Sequence, residues 1–350
     1  MDAEMASWKS TSTYVDEVPP PGANIVGGIW IFRVKRPPGS PPVFKAHYVA
    51  RGFSQGQGVD YFQTFSPSPK MTTIRVLLHI AAKRDYELHS LDFSTPFPQG
   101  SVHGEIWLRR PPGFTGSFPP DTQWSLRRPV YGLRQAPREW YDTLRTTLAA
   151  LGFAPSTADL SLFLCTDTSL PLFYILVYVN DLVFATAYTT GLAHVKSELQ
   201  KRHTCTDLEH MDVAKRVLCY VCCTSGMGLV LGGRRQVVLI GAMAAQELHW
   251  LTYLLTDLGE APRSPPVLYI DNKAMLALCR EHRLEHRMKH IALRYFLARE
   301  LQQRGQLRLT YVASEANTAD IFTKALPPCD HQRFCTLLGL VPTWPHLFTS

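Results

Sequence analysis

The chain has 350 residues, of which 45% are hydrophobic, and its 36 Lys and Arg outnumber 29 Asp and Glu, which gives a formal net charge of +7. This hydrophobic content can form the core of one large domain or of two ordinary ones, and it excludes a chain that is disordered throughout. A mild basic excess suits a polyanionic partner such as a nucleic acid, but an ordinary soluble protein can carry the same charge.

The N-terminal sequence and the apolar runs predict an intracellular protein. The first 21 residues contain no basic stretch followed by an apolar core, so no secretory signal is predicted. The longest apolar runs, FYILVYV and VVLIGAMAA, are too short to span a bilayer, and we expect no membrane partner. We therefore expect a soluble protein of the cytoplasm, the nucleus or both, with its eight cysteines as free thiols.

The first ordered element is expected near residue 28. The preceding segment VPPPGANIVGG is rich in Pro and Gly, which break regular structure, so residues 1–27 are predicted to be flexible. The stretches IWIFRVKRPPG and VFKAHYVARGF then predict two strands of a hairpin, because the first alternates apolar and basic residues. This hairpin would present four basic side chains: Arg33, Lys35, Lys45 and Arg51.

Two helices and a strand follow. TTIRVLLHIAAKRDY has apolar residues at helical spacing and is predicted to be capped by Thr72 or Thr73. ELHSLDFSTPF predicts a strand that ends on an acid. APREWYDTLRTTLAALGF predicts a second helix, with Pro137 in its first turn and its end at Gly152.

A hairpin is predicted in FYILVYVNDLVFAT, with Asn180 and Asp181 as its two-residue turn. By itself this polar pair has two interpretations, a plain turn or a metal-binding carboxylate pair that has lost one charge. An acid at the end of one strand and another in a neighbouring turn, with helices alongside, predicts an α+β sheet with a polar site on its face.

The character of the sequence changes after Leu208. IGAMAAQELHWLTYLLTDLG predicts an amphipathic helix that ends at Gly259. Asp271 and Asp320 each follow a short predicted strand. We therefore expect a second, smaller α/β unit at about residues 236–330.

Two clusters of metal-ligand residue types have simpler interpretations. Cys219, Cys222 and Cys223 include one C-x-x-C, but no second pair follows at zinc-site spacing. His282, His286 and His290 recur every four residues, as ligands on one helix face would, yet Arg and Lys are interleaved with them. Because neighbouring cations oppose metal binding, a basic surface is the favoured interpretation.

Several long motifs in a fixed order resemble one known family. FKAHYVARGFSQGQGVDYFQTFSP, LDFSTPFPQG, PVYGLRQAPREWY and YVND resemble the reverse transcriptase domain of copia-type (Ty1/copia) long-terminal-repeat retrotransposon Pol polyproteins. Towards the C-terminus, YIDNKAMLAL, HRMKHIALRYFLARE and ANTADIFTK resemble the ribonuclease H domain of the same polyproteins. Together the motifs cover most of residues 28–330.

The resemblance implies an α+β fold with a right-hand polymerase architecture. Fingers and palm would occupy residues 28–208, a remnant of the thumb and connection 209–235, an incomplete α/β ribonuclease H-like domain 236–330, and a tail 331–350. The implied activity is RNA-directed DNA synthesis, in which two Mg²⁺ ions assist phosphoryl transfer from a dNTP to a primer 3′-OH. The implied partners are an RNA template, a DNA primer, the RNA–DNA hybrid and dNTP; the oligomeric state is left open.

The resemblance also implies which residues form the polymerase site. The family's three metal-binding acids fall on Asp92, Asn180 and Asp181, so Asp92 and Asp181 are the implied metal ligands and Asn180 stands where the family has an Asp. An amide oxygen can coordinate a cation but lacks the negative charge. We expect the loss to reduce the rate at least about 10²–10³-fold, by analogy with removal of one transition-state stabilising group.

Nucleotide binding is implied at four further positions. Phe97 matches the aromatic gate under the incoming sugar, Gln135 matches a polar residue that packs against the nucleotide, and Lys45 and Arg51 match phosphate partners. Each of these two cations, taken singly, could equally be a solvated surface charge. Pro96 precedes the gate and has no N–H to offer a triphosphate.

The same resemblance predicts a decayed copy. Of the four ribonuclease H acids, only Asp271 and Asp320 have counterparts, and the strand pair that grips the primer is missing after Leu208. We expect an inactive nuclease and a weakly active or inactive polymerase. The alternative is a non-catalytic remnant that binds nucleic acid.

Overall fold

The computed structural model describes residues 1–36, 41–114, 121–208, 236–271, 273, 276–277, 297–322 and 326–337. The chain divides into two compact units, Met1–Val217 and Leu218–Ser350. The predictions for the cysteine and histidine clusters fall outside the described residues, at Cys219, Cys222, Cys223, His282, His286 and His290.

The first unit mixes helices with strands that are antiparallel except for the pair Ile25–Val26 and Trp107–Leu108. Its helices are α1 (Asp2–Ser10), α2 (Met71–Arg84), α3 (Ala136–Ala150) and α4 (Thr189–Arg202). Its strands are β1 (Tyr14–Glu17), β2 (Ile25–Val26), β3 (Gly28–Lys35), β4 (Val43–Ala50), β5 (Glu87–Phe93), β6 (Trp107–Leu108), β7 (Gln123–Leu126), β8 (Phe153–Pro155), β9 (Leu162–Cys165), β10 (Phe173–Tyr178), β11 (Asp181–Thr186) and β12 (Cys205–Leu208).

A six-stranded antiparallel sheet, in the order β12-β5-β11-β10-β9-β8, forms the centre of this unit. Side chains alternate between its two faces, so Leu91 and Phe93 of β5 are buried while Asp92 between them is partly exposed. The buried face packs against apolar residues of α3 and α4 in one core cluster. The predicted sheet with flanking helices is confirmed, and its other face is the one that carries Asp92.

The basic hairpin is also confirmed. Strands β3 and β4 pair antiparallel along their whole length, from Gly28 opposite Ala50 to Lys35 opposite Val43. At the base of the hairpin the N–H of Ala50 donates to the carbonyl of Tyr131 at 2.8 Å. A glycine is required at this approach, because a Cβ on Gly132 (φ +91°) would lie 2.1 Å from the Ala50 oxygen.

The prediction that residues 1–27 are flexible is wrong. They form α1, β1 and β2, and β1 and β2 are the outer strands of a second sheet in the order β1-β7-β6-β2. Met5 and Trp8 of α1 are buried, and the Trp8 ring lies 5.8 Å from that of Trp124. The Pro/Gly-rich stretch separates ordered elements, and the apolar contacts of α1 are with residues far along the chain, which local sequence patterns do not show.

The predicted threonine cap of α2 is also wrong. Lys70 precedes the helix, which has no side-chain cap from its own N-terminus. Thr73 is buried, and its hydroxyl donates to the carboxylate of Asp159 at 2.5 Å. The same carboxylate accepts the N–H of Lys70 at 3.2 Å, so an acid from a distant loop stabilises the helix N-terminus.

The second unit contains α5 (Gln236–Asp257), β13 (Val267–Ile270), β14 (Arg308–Tyr311) and α6 (Pro328–Leu337). The two strands are parallel. Gly259, with φ +69°, follows the end of α5, as predicted. Nowhere in the described parts of the chain does a helix have the length and hydrophobicity of a transmembrane segment.

The burial of α1 can be tested with Trp8→Ala. Removing a buried indole should lower the free energy of unfolding of the first unit by about 3–5 kcal/mol, measured by urea unfolding. The exposed Ser10→Ala on the same helix is the control and should change it by about 0.5 kcal/mol at most. Equal stability of the Trp8→Ala and natural chains would show that α1 does not contribute to the core.

Candidate active site

Asp92 and Asp181 lie side by side on the face of the central sheet opposite the α3 and α4 core. They are directly opposite each other in the ladder between β5 and β11, and Thr206 of β12 lies opposite Asp92 on its other side. Directly opposite residues of antiparallel strands project from the same face, with Cβ atoms roughly 4.5–5.5 Å apart. Both carboxyl groups are partly exposed, so the site combines fixed backbone positions with access from solvent.

The turn that precedes Asp181 differs from the prediction by one residue. Tyr178 pairs with Asp181, so the two turn residues are Val179 and Asn180. Local preference favours Asn and Asp in a turn, but pairing with Asp92 places Asp181 in the strand. Val179 takes up the left-handed conformation with φ 52°, which costs a β-branched residue on the order of 1–3 kcal/mol.

Both backbone carbonyls of this turn accept hydrogen bonds from outside it. The N–H of Phe93 donates to the carbonyl of Asn180 at 2.8 Å, and the indole Nε1–H of Trp140 donates to the carbonyl of Val179 at 2.8 Å. Neither bond uses the side chain at position 180. The turn can therefore keep its geometry with Asn or Asp at that position.

Phe97, the proposed gate, lies in a short 3₁₀ turn (Phe97–Gln99) just after β5. Its ring is 4.8 Å from that of Tyr131, a residue that the sequence analysis did not single out. Burial raises the pKa of the Tyr131 hydroxyl, and the nearby charges of Glu4 and Asp92 raise it further. Tyr131 is thus in contact with Phe97 and within electrostatic reach of Asp92.

The segment that carries Phe97 is bound to Thr204, just before the neighbouring strand β12. The amide Nε2 of Gln99 donates to the carbonyl of Ser94 at 2.7 Å, and its Oε1 accepts the N–H of Thr204 at 2.9 Å. Pro96 begins the 3₁₀ turn with φ −64°, a value that proline favours. Pro96 is therefore compatible with this backbone conformation, although it has no N–H to donate.

Gln135 is buried, with 3% of its surface exposed, and its side chain is used within the protein. Its Oε1 accepts from Gln55 at 3.1 Å, and its Nε2 donates to the carbonyl of Asp60 at 3.2 Å. This arrangement holds the loop after β4 against the start of α3. It favours a structural contribution by Gln135 over direct contact with a nucleotide.

Lys45 and Arg51 are both exposed. Lys45 is directly opposite Arg33 across the hairpin, so the two cations share one face. Arg51 follows β4 and lies near the hydroxyl of Tyr48, together with Arg109. The structure thus leaves these cations on the surface, where a phosphate backbone could reach them.

In the second unit, Asp271 and Asp320 are brought together. The Nδ2 of Asn317 lies 3.2 Å from Oδ2 of Asp271 and 3.4 Å from Oδ1 of Asp320. One amide group thus donates to both carboxylates. Across all the described residues, no three His, Cys, Asp or Glu side chains gather in a way that could hold a metal ion.

Two buried titratable residues behind the site were also missed by the sequence analysis. Glu139 of α3 accepts the N–H of His103 at 3.1 Å, while its Oε2 has no partner among the described residues. Burial is the main cause that raises the Glu139 pKa from 4.5 to about 7. His203 packs edge-on against Trp140 and Phe93, and burial lowers its pKa. Glu139 lies in α3, whose sequence pattern indicates only core packing, and His203 lies just after α4.

Comparison with known proteins identifies the family of the first unit. A family model described as reverse transcriptase (RNA-dependent DNA polymerase) matches residues 11–219, more than half of the chain. The match begins within the N-terminal segment that the structure shows to be ordered.

Three of the curated relatives come from plant transposons. The retrovirus-related Pol polyproteins from transposons RE2 and RE1 of Arabidopsis thaliana are 28% and 26% identical over alignments that include 93% and 94% of this chain. The one from transposon TNT 1-94 of Nicotiana tabacum is 31% identical over 59% of the chain. This chain spans 33% of the length of the RE2 and RE1 proteins and 16% of the tobacco protein.

The alignment lengths show that the RE2 protein has segments without a counterpart in this chain. The RE2 alignment extends over 476 positions although it includes 93% of a 350-residue chain, about 326 residues, so roughly 150 positions of that relative face gaps in this chain. The tobacco alignment has 209 positions for 59% of the chain, about 207 residues, and is nearly continuous.

A solved structure of a foamy viral protease–reverse transcriptase in complex with double-stranded DNA aligns with 91% of this chain and 68% of that one. Its TM-score is 0.37 at 9% identity, a similarity that supports no inference by itself.

The raised pKa of Glu139 predicts how stability depends on pH. A carboxyl group whose pKa is higher in the folded protein contributes stability that is complete below pH 4.5 and is lost as the pH rises through about 7. The free energy of unfolding should therefore fall between pH 5 and 8 by at most about 3 kcal/mol from this group.

Glu139→Gln keeps the acceptor for the His103 N–H and cannot ionise. In this variant the free energy of unfolding, measured by urea unfolding at each pH, should fall less between pH 5 and 8. Glu105→Gln, which removes an exposed carboxyl group near His103, is the matched control and should retain the full dependence. If both variants show the natural profile, the buried carboxyl group is not its source.

Proposed function

The chain belongs to the reverse transcriptase family of copia-type retrotransposons, and we propose that its first unit is an RNA-directed DNA polymerase domain whose metal site is impaired. The observation that supports this proposal best is the ladder register that sets Asp92 beside Asp181, next to the aromatic segment of Phe97.

The residues at this site fit a divalent cation. Carboxylate and amide oxygens on a rigid sheet are the ligands that Mg²⁺ prefers. We infer that Asp92 and Asp181 would hold the ion, with the side-chain oxygen of Asn180 as a further neutral ligand. When bound, Mg²⁺ in this family supplies charge stabilisation for transfer of a phosphoryl group from dNTP to the primer 3′-OH.

The impairment follows from charge. With Asn at position 180, two carboxylates remain where the family has three, so the site carries one negative charge less. Because both carbonyls of the turn are bound by Phe93 and Trp140, the substitution changes the ligand set without requiring a change in the turn. We infer a polymerase that is weakly active or inactive.

Missing segments support the same conclusion. Roughly 150 positions of the RE2 protein have no counterpart here, and β12 directly precedes the undescribed segment 209–235. We infer that the primer-gripping and thumb regions are reduced and that the second unit is an incomplete ribonuclease H-like domain. In that domain Asp271 and Asp320 would be the two remaining acids, and we propose that it does not cleave RNA.

The proposed partners are an RNA template, a DNA primer, their hybrid and dNTP, in the cytoplasm or the nucleus. The exposed cations Arg33, Lys45 and Arg51 would contact phosphate groups. A non-catalytic remnant that binds nucleic acid is the second candidate. It is favoured by Asn180 and by the internal gaps, since neither affects these cations.

Primer extension on an RNA template with Mg²⁺ or Mn²⁺ tests the catalytic part. We expect no robust synthesis by the natural chain, and we expect Asn180→Asp to remain inert as well, because one restored acid cannot replace missing primer contacts. Robust synthesis by the natural chain would contradict the proposed impairment. Strong rescue by Asn180→Asp would assign the defect to the metal site alone.

Metal affinity can be measured separately from synthesis. By titration calorimetry with Mn²⁺, Asn180→Asp should bind more tightly than the natural chain, and Asp181→Asn more weakly, because affinity follows ligand charge. Identical affinities in all three chains would locate the metal elsewhere.

The salt dependence of nucleic-acid binding tests the proposed phosphate contacts. Affinity for an RNA–DNA duplex should fall steeply between low and physiological salt, because bound phosphates release counterions. Lys45→Gln and Arg51→Gln should each reduce the logarithmic salt slope by about 1.

Lys201→Gln is the control for this experiment, because Lys201 lies on α4, which packs behind the sheet, and is paired with Glu198. A flat salt response, or the same slope for all the variants, would contradict phosphate contact by the hairpin.

A further inference from the structure

The metal-site turn is supported from behind by a small aromatic group, which we name the turn support: Trp140 of α3, Phe93 of β5 and His203 after α4. The ring centroids of Trp140 and Phe93 are 5.0 Å apart, and those of Trp140 and His203 are 5.4 Å apart. All three residues are buried, and His203 is within hydrogen-bond distance of the Thr147 hydroxyl, at 3.0 Å. These contacts fix the orientation of the Trp140 indole.

That orientation directs the indole N–H to one acceptor. Nε1 of Trp140 donates to the carbonyl of Val179 at 2.8 Å, and Val179 is the residue in the left-handed conformation. The neighbouring Asn180 carbonyl accepts from Phe93, another member of the turn support. A left-handed valine is unfavourable by itself, so contacts from outside the turn must stabilise it.

We propose that Trp140 is a positioning residue, which holds the Val179–Asn180 turn, and with it the carboxylate of Asp181, through its indole N–H. The link to Asp181 and its metal rests on the proposed function. The contact with the turn stands on the structure alone, and the two can be tested apart.

A matched pair of tryptophans makes the test specific. Trp140 and Trp124 are both buried, but Nε1 of Trp124 has no hydrogen-bond partner among the described residues. Trp140→Phe therefore removes a hydrogen bond and part of a ring, whereas Trp124→Phe removes part of a ring only. The difference between the two variants isolates the indole N–H.

Hydrogen exchange of backbone amides reports on the turn. In Trp140→Phe the amide of Phe93, which donates to the turn, should exchange on the order of tenfold faster, as expected for loss of about one hydrogen bond. The amide of Thr166, which donates to Gly152 at the far edge of the sheet, should be unchanged. In Trp124→Phe the ratio of the two exchange rates should remain natural.

A second replacement covers the case in which Trp140→Phe does not fold. Benzothienylalanine at position 140 keeps the shape of indole and has sulfur in place of N–H. It should preserve the packing and still accelerate exchange at Phe93. If the Phe93 amide exchanges at the natural rate in this variant, or if Trp124→Phe accelerates it equally, the positioning role is refuted.

A spectroscopic measurement separates this proposal from that of the metal site. Among the indole N–H signals of the seven tryptophans, the one absent from Trp140→Phe belongs to Trp140. If Mn²⁺ binds at Asp92 and Asp181, it should broaden that signal at the lowest concentrations. Faster exchange at Phe93 without such broadening would support the role of Trp140 and contradict the proposed metal site.

Discussion

The antiparallel register between β5 and β11 is the constraint on which the site depends. It sets Asp92 opposite Asp181, and its alternation sends Leu91, Phe93 and Leu182 into the core on the other face. A shift of the register by one residue would bury both acids and expose these apolar side chains. The register that packs the sheet against α3 and α4 is therefore the same register that places the two carboxylates. The hydrophobic core therefore selects the geometry of the polar face.

The geometry of the Val179–Asn180 turn does not depend on the side chain at position 180. The turn is bound through its backbone carbonyls by Phe93 and Trp140, while the proposed metal ligands are side chains. A side-chain change such as Asn180 can remove a charge without opposing the fold. The turn of the YVND motif therefore has its backbone contacts in a chain that has no counterpart for roughly 150 positions of the RE2 alignment.

Local patterns were sufficient where an element is determined by its own residues. The β3–β4 and β10–β11 hairpins, α3 and α5 follow from alternation, helical spacing and Pro or Gly at their ends. Local patterns failed where a distant residue decides. Asp181 pairs with Asp92 and is therefore part of a strand, not of the turn. The Thr73 hydroxyl donates to Asp159, and Trp8 of α1 packs against Trp124. The pairing of Asp271 with Asp320 through Asn317 likewise involves residues that are far apart in the sequence.

Asn317 links the two acids of the second unit. Its amide stands between two carboxylates, where it provides hydrogen-bond donors to both without carrying a charge. An amide neither titrates nor dissociates, so the pair keeps a permanent internal partner in the presence of a chelator or in buffers free of divalent ions. The carboxylates of Asp271 and Asp320 therefore share a hydrogen-bond donor that belongs to the protein itself.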